Sequence, residues 1–395
     1  MFEFIQLNQF LFFAFLYAAT FILGELLERI RIPWVFAALF LGIGFSINNP
    51  FESFTSGEPF NSFALLGLYF LLFIFGFEIS LKEIKNHKRL VFETNAVMIL
   101  VQATLGAVII SFLFGYDILT SAVIGLVFAT VSEIFVLPLL EETKLIKSHL
   151  GQSILGISAV NSLFLVLVVT IATVFLSQKT KGIIQSELLT IFIVIIILFL
   201  LSFFLMKMKH ESKRIKFFGI GAFTTFVLFL MFLFLGFGFN SHLTAISAIL
   251  AGIAIRNFLP ENKIGEIEIG TKTMIYGFFV PLFMFWSGLD ADINFIVQNI
   301  PLIILITVLF KATKIGSVVL ATRKKVGFRK SLFIGTSLSV ELSLSIVLLK
   351  LMLENALIST EVFSLLLSVM ILSEVLVPFA LARMLSKWKA DILGN

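Results

Sequence analysis

Glu133 is a solitary carboxylate in the apolar run Ala129-Thr130-Val131-Ser132-Glu133-Ile134-Phe135-Val136-Leu137-Pro138. A run of this kind belongs inside a lipid bilayer. There an unpaired, unhydrated ion is costly, and an acidic side chain by default marks a path for a cation or a proton. Asn161 with Ser162, Lys314, Glu341 and Glu374 stand in four other apolar segments. Together they offer the remaining parts of such a path: amide and hydroxyl oxygens as ligands, a fixed positive charge, and two more acids. Ser132, beside Glu133, is a secondary ligand candidate, as is Glu374. Each residue also has a plain structural reading. Glu133 would pair with a lysine and lock a bundle, Lys314 would be a buried counter-ion, Glu341 would hold an interrupted helix together, and Asn161 would make an interhelical hydrogen bond. For Glu374, which follows Ser373 and precedes Pro378, capping or packing at a proline turn is the favoured role. Lys311, one turn before Lys314, is expected to snorkel or to face a water-filled cavity.

The elements that carry these residues follow from composition. Of 395 residues, 59% are hydrophobic and only 13% charged, and the mean hydropathy is +1.08. Soluble domains carry about 25% charged residues, so the chain is read as an all-α membrane protein. Its segments are apolar on all sides, which excludes the alternating pattern of an outer-membrane barrel. A spanning helix needs roughly 20 mostly apolar residues, and thirteen such segments are expected: 7–28, 33–49, 62–80, 91–114, 118–140, 151–177, 187–206, 217–236, 240–257, 272–289, 296–321, 331–353 and 360–382. The first lacks a basic flank and a small-residue cleavage site and reads as a retained helix. There is no cysteine, and the four histidines fall in expected loops or helix ends, so no metal site or cofactor is anticipated. The basic residues are spread over short loops without a stacking platform, which speaks against a nucleic-acid partner. No nucleophile–base pair suggests an enzyme. The whole chain, 1–395, is expected to be a single transmembrane domain without a soluble regulatory domain.

Charge supports the map. Of 29 Lys and Arg, all but five fall in loops after odd-numbered spans, at the span ends bordering those loops (Arg256, Lys272) or in the C-terminal tail; Lys179 and Lys181 lie on the other side, and Lys311, Lys314 and Lys350 deep within spans. The positive-inside rule then puts the C-terminus in the cytoplasm and the N-terminus outside, in the cell membrane. The sequence also repeats weakly. Thr130-Val131-Ser132-Glu133-Ile134 in span 5 resembles Leu338-Ser339-Val340-Glu341-Leu342 in span 12, seven spans later and therefore inverted. Corresponding polar, unwound stretches in inverted repeats point to a binding site between them, and their hydroxyls can satisfy the backbone groups an interrupted helix leaves free. With a rise of about 1.5 Å per residue, Glu133, Asn161, Lys314, Glu341 and Glu374 all lie near the bilayer midplane. This convergence suggests a transporter of cations.

The stretch Val136-Leu137-Pro138-Leu139-Leu140-Glu141-Glu142, then Leu150-Gly151-Gln152, Gly156 and Ala159-Val160-Asn161-Ser162, is the most distinctive. Ala251-Gly252, Pro281-Leu282-Phe283, Ser287-Gly288-Leu289, Lys314 with Ala321 and Arg323, and Ser339-Val340-Glu341 follow in order. By these residues the chain resembles the monovalent cation:proton antiporter superfamily, nearest its Kef-type and Nap-type sodium/proton branch, over nearly its whole length. The resemblance implies about 13 transmembrane helices with inverted repeats and two discontinuous crossing helices. Spans 4–6 and 11–13 would form a moving core, the other spans a panel, and the assembly would be a homodimer. It implies a secondary active antiporter exchanging a monovalent cation, sodium or potassium, for protons by alternating access. Lys314 matches the family lysine that pairs with an aspartate, and Glu341 matches a glutamate of the second broken helix. One departure stands out: the aspartate position holds Ser162, which cannot exchange a proton near neutral pH. Glu133 is the expected substitute. The alternatives are an uncoupled channel or a transporter of another solute on the same scaffold, and a membrane sensor that transports nothing.

Overall fold

A computed structural model describes residues 8–29, 32–78, 89–132, 136, 140, 145–146, 148–180, 185–207, 220–239, 243–259, 261–341, 343–388 and 391–392. In chain order the α-helices of ten or more residues among the described residues are α1 Gln9–Arg29, α2 Phe36–Phe45, α3 Glu58–Phe77, α4 Arg89–Phe114, α5 Ile118–Ala129, α6 His149–Thr180, α7 Gln185–Lys207, α8 Ile220–Phe239, α9 Thr244–Phe258, α10 Glu261–Met274, α11 Val280–Leu289, α12 Ile300–Val326, α13 Phe328–Ser337, α14 Ser343–Glu354 and α15 Thr360–Lys387. No strand occurs among the described residues. Eight described stretches are long and apolar enough to cross a bilayer: α1, α3, α4, α8, α12, α15, His149–Ser177 in α6 and Ile264–Leu289. Four apolar helices are shorter, among them α2, α5 and α9.

The chain divides into two compact units, Met1–Ser80 with Ile183–Phe295, and Leu81–Gly182 with Ile296–Asn395. The second unit holds the same segments as expected spans 4–6 and 11–13.

In the first unit, α2 packs on α11 and α3 on α9. Phe12 is fully buried at a knot of rings from Phe13, Phe51, Phe54, Phe60 and Phe285, mostly edge to face, the geometry that aromatic quadrupoles favour. The segment before span 10, expected as a loop, is helical from Glu261, so the expected start at 272 is corrected. Polarity hid it from a hydropathy reading, while the Glu268–Lys272 pair one turn apart supports a helix there. Lys272 also bridges to Glu78 at 2.7 Å. A π-helical turn, Ile275–Phe279, joins α10 to α11. Pro281 has no N–H for the Gly277 carbonyl and its ring crowds that position; the widened turn takes up the mismatch. The Tyr17 hydroxyl donates to the Phe278 carbonyl in that turn at 2.8 Å.

In the second unit, α4 and α5 lie so close that a Cβ built on Gly125 would stand 2.3 Å from the Gln102 carbonyl oxygen and 2.8 Å from the Gly106 Cα. Small residues permit such backbone approach within a membrane, where dispersion and not hydrophobicity drives helix association. Gly125→Val should force the helices apart and lower stability by about 1–3 kcal/mol. Thermal unfolding of the detergent-solubilised protein checks this; an unchanged midpoint would show that the helices can separate without cost. Gln102 also ties α4 to α12 by donating to the Phe310 carbonyl at 3.1 Å. Asn95 ties α4 to α6 through the Ile157 carbonyl at 3.0 Å. Gly327, at φ +84°, makes the reversal between α12 and α13, a conformation few other residues adopt.

Candidate functional site

The site is built where two helices stop. Helix α5 begins under Asp117, whose carboxylate accepts from the amides of Leu119 and Thr120, and ends at Ala129. Thr130 is extended, Val131 and Ser132 are non-helical, and Val136 is helical again. Helix α13 ends at Ser337, and after a turn at Leu338-Ser339 the residues Val340 and Glu341 are non-helical before α14 starts at Ser343. The two interruptions meet. The Ser132 amide donates to the Val340 carbonyl at 3.0 Å, and the Thr130 and Ser345 hydroxyls hydrogen-bond each other.

Interrupting a helix frees carbonyls that must find donors, since an unpaired buried backbone group costs as much as a lost hydrogen bond. Here they can be traced one by one. Lys314 Nζ donates to Phe128 O at 3.0 Å, Thr130 O at 2.6 Å and Glu341 Oε1 at 2.9 Å. An ammonium has three protons, so Lys314 is fully satisfied, and it sits at the negative end of the α5 dipole. Lys311 Nζ donates to Ser339 O at 2.8 Å and pairs with the same Glu341 Oε1 at 2.8 Å. The Ser162 hydroxyl donates to Val131 O at 3.0 Å. The Ser339 hydroxyl turns back to Gly335 O at 2.7 Å. Both broken helices are thus closed by side chains of α12 and α6.

Lys314 and the Glu341 side chain have no solvent exposure, and Lys311 and Glu374 are buried as well. Among the described residues, Glu374 feels the charges of Lys311, Glu341 and Lys314. The cluster therefore sets two ammonium groups against two carboxylates. Buried charges at this density require pairing. Within this site the buried polar atoms without a partner among the described residues include both of the Asn161 side chain, Glu341 Oε2 and Glu374 Oε1. Asn161 is fully buried.

The structure brings Lys314, Glu341 and Glu374 into one cluster, with Ser132 and Ser162 bonded to the interrupted backbone. Asn161 stands beside Ser162 on α6. Glu133 lies outside the described residues, as do Leu137-Pro138-Leu139 and Glu141-Glu142. Two expectations are corrected. Lys311 does not snorkel: the spacing of three residues from Lys314 puts both ammonium groups on the same face of α12, and both reach Glu341. Glu374 does not precede a proline turn. Pro378 lies inside α15, which continues to Lys387. Pro378 withholds an N–H from the Glu374 carbonyl without ending the helix. Lys311 was the missed residue, and its one-turn spacing from Lys314 was the available signal.

A family profile described as "Sodium/hydrogen exchanger, transmembrane" matches residues 14–387. A Methanocaldococcus jannaschii protein named "Probable Na(+)/H(+) antiporter 3" is 26% identical over 93% of this chain and 94% of its own length. An Enterococcus hirae protein named "Na(+)/H(+) antiporter" is 22% identical over 84% of this chain and 86% of its own. Among solved structures, the sodium proton antiporter MjNhaP1 from Methanocaldococcus jannaschii has a similar fold, with a TM-score of 0.65 at 12% identity, covering 97% of this chain and 98% of that one.

Proposed function

The chain belongs to the sodium/hydrogen exchanger family of transmembrane proteins, and from that premise we propose that it exchanges a monovalent cation, sodium or potassium, for protons. The observation that carries the reading is the contact of two interrupted helices, closed by Lys314 and Glu341 and flanked by Asn161, whose side chain has no partner among the described residues. Such a crossing exposes backbone dipoles and polar side chains at one depth, the arrangement that transporters use to hold an ion. In this reading Glu133 binds the cation or a proton, never both, in the role the resemblance gives to an aspartate at position 162. Asn161 and Ser132 supply neutral oxygens. Lys314 and Glu341 hold the interrupted helices in place. Access alternates as the unit holding the crossing moves and the other unit serves as scaffold, within a homodimer.

Thirteen crossings with the N-terminus outside complete the proposal, on the strength of the basic-residue asymmetry. The chain has no cysteine, so single cysteines placed in the loops report their side cleanly. Labelling of position 325 from the outside of intact cells would reverse the orientation.

The deciding experiment is the purified protein in vesicles carrying a pH gradient, challenged with sodium, potassium or lithium. Cation-dependent dissipation of the gradient is expected, and its absence for all three ions refutes antiport. A second reading draws on Ser162, whose hydroxyl is committed to the Val131 carbonyl and carries no exchangeable charge. If the coupling acid was lost there without replacement, the scaffold conducts ions or moves another solute without proton exchange. The same vesicles would then pass the ion with no proton counterflow.

A further inference from the structure

We infer that the seam between α4 and α6 is a hydrated passage by which the monovalent cation reaches the crossing, with the side-chain oxygens of Asn95, Ser158, Asn161 and Gln102 as its successive ligands. The inference rests on the antiport reading and deepens it by giving the cation a route.

Hydrogen bonds set the seam. Helix α4 packs against both α6 and α12. The Asn95 side chain of α4 donates to the Ile157 carbonyl of α6 at 3.0 Å and to the Val91 carbonyl at 3.1 Å. Ser158 follows Ile157, and Asn161 stands one turn beyond Ile157 on α6. Gln102 lies on the Asn95 face of α4, about two turns or roughly 10 Å further on. It donates to Phe310 O at 3.1 Å and to Thr313 Oγ1 at 3.3 Å, both on α12. Asn161 and Gln102 border the crossing. Asn161 precedes Ser162, which bonds the Val131 carbonyl. Phe310 precedes Lys311, which bonds the Ser339 carbonyl. Asn95 and Ser158 lie toward the Arg89 end of α4 and the His149 end of α6.

The oxygens of this seam are left over. Asn95 and Gln102 both spend their nitrogen on acceptors, and those bonds fix the orientation of the two amides. Asn95 Oδ1 and Gln102 Oε1 then have no donor among the described residues, and Ser158 Oγ and both polar atoms of Asn161 have no partner there either. Ser158, Asn161 and Gln102 have no solvent exposure, and Asn95 is 4% exposed. A helical hydroxyl can always turn back to the carbonyl one turn earlier. Thr94, Ser153 and Thr322 of the same unit do so, and Ser158 does not. Tying helices together accounts for the nitrogens and leaves the oxygens unexplained. Buried oxygens of this kind are met by water or by an ion.

The chemistry suits a monovalent cation. Both α4 amides offer only the negative end of their dipole, which favours cations and hydrogen-bond donors over anions. All four ligands are neutral. A passage must bind its ion well enough to admit it and weakly enough to pass it on. Spaced neutral oxygens meet both demands, where a carboxylate would hold the ion.

The chain has no cysteine, so single cysteines report on the seam in the full-length protein in vesicles. Ser158→Cys is compared with Ser287→Cys, which replaces a buried α11 hydroxyl bonded to the Phe283 carbonyl at 2.9 Å. The probe is a small, charged methanethiosulfonate reagent, which modifies thiols that water reaches. Ser158→Cys should be modified in the folded protein, and sodium or potassium, but not choline, should slow the reaction. Ser287→Cys should be modified only after denaturation. A Ser158→Cys thiol as unreactive as that of Ser287→Cys overturns the inference, because the seam is then dry. Modification at one rate with and without sodium and potassium overturns it too, because the water there then carries no cation. If Ser158→Cys does not fold, Met98→Cys takes its place, since Met98 is buried on α4 between the two amides. Absence of cation-dependent proton flux in the wild type removes the antiport reading alone; the reactivity of the thiol and its slowing by cation still decide the passage.

Discussion

Glu341→Ala is expected to cost about 3–5 kcal/mol of stability, the penalty for removing one partner from a buried ion pair and leaving the other uncompensated. The effect should lie at the upper end of that range because two ammonium groups, on Lys311 and Lys314, share the lost oxygen. Lys314 would keep its two carbonyl acceptors, which satisfy its protons but not its charge. Lys311→Met should be milder, since Lys314 keeps Glu341 and both carbonyl acceptors and the Ser339 carbonyl is the acceptor that loses its donor. Thermal unfolding in detergent checks both. If Glu341→Ala unfolds at the wild-type temperature, the clamp does not hold the crossing, and the two helix ends are stabilised by the Ser132–Val340, Thr130–Ser345 and Ser162–Val131 contacts and by packing.

The second large effect concerns transport. Glu133→Gln is expected to abolish cation-dependent proton flux while leaving the protein folded, because it removes the acid proposed to take over from the missing aspartate. Adding Ser162→Asp to that variant should restore flux by returning a carboxylate to the position where the resemblance places one. Ser162→Asp alone puts two acids in one site, and neighbouring carboxylates disfavour joint ionisation. Its flux should therefore depend on pH differently from that of wild type. The four proteins are compared in vesicles across pH. Full activity in Glu133→Gln would dismiss Glu133. A wild type inactive with every cation, but activated by Ser162→Asp, would identify a scaffold that has left cation:proton exchange.

How much of this could be read from sequence differs by kind of information. Hydropathy and helical rise depend only on local composition, so the depth argument selected Lys314, Glu341 and Glu374, which the fold brings into one cluster. The polar pentads around Ser132 and Ser339 marked where helices stop, because hydroxyl and β-branched residues there favour backbone interruption. Direction was less legible. Lys311 has a long flexible stem, and nothing local says whether it reaches for a headgroup or for a carboxylate. That depends on α13 and α14, which arrive later in the chain. Pro378 misled for a related reason: a proline in a membrane helix removes one backbone bond, and neighbouring helices decide whether the helix ends. The helix beginning at Glu261 was obscured by its charges, which pair across the turn and with Glu78 instead of marking a loop.

The lysine clamp also bears on how the protein is made. The carbonyls of Phe128 and Thr130 are synthesised nearly two hundred residues before the ammonium that satisfies them, on Lys314. Chains grow at about 5–20 residues per second, and domains fold as units when complete. The unit holding the crossing is assembled from two distant stretches of sequence. During translation, then, the nascent chain spends seconds in the membrane with an open helix end and no native donor. Chains that stall before α12 emerges would display that end to the quality-control machinery, and the completed clamp marks the moment at which the protein stops looking unfinished.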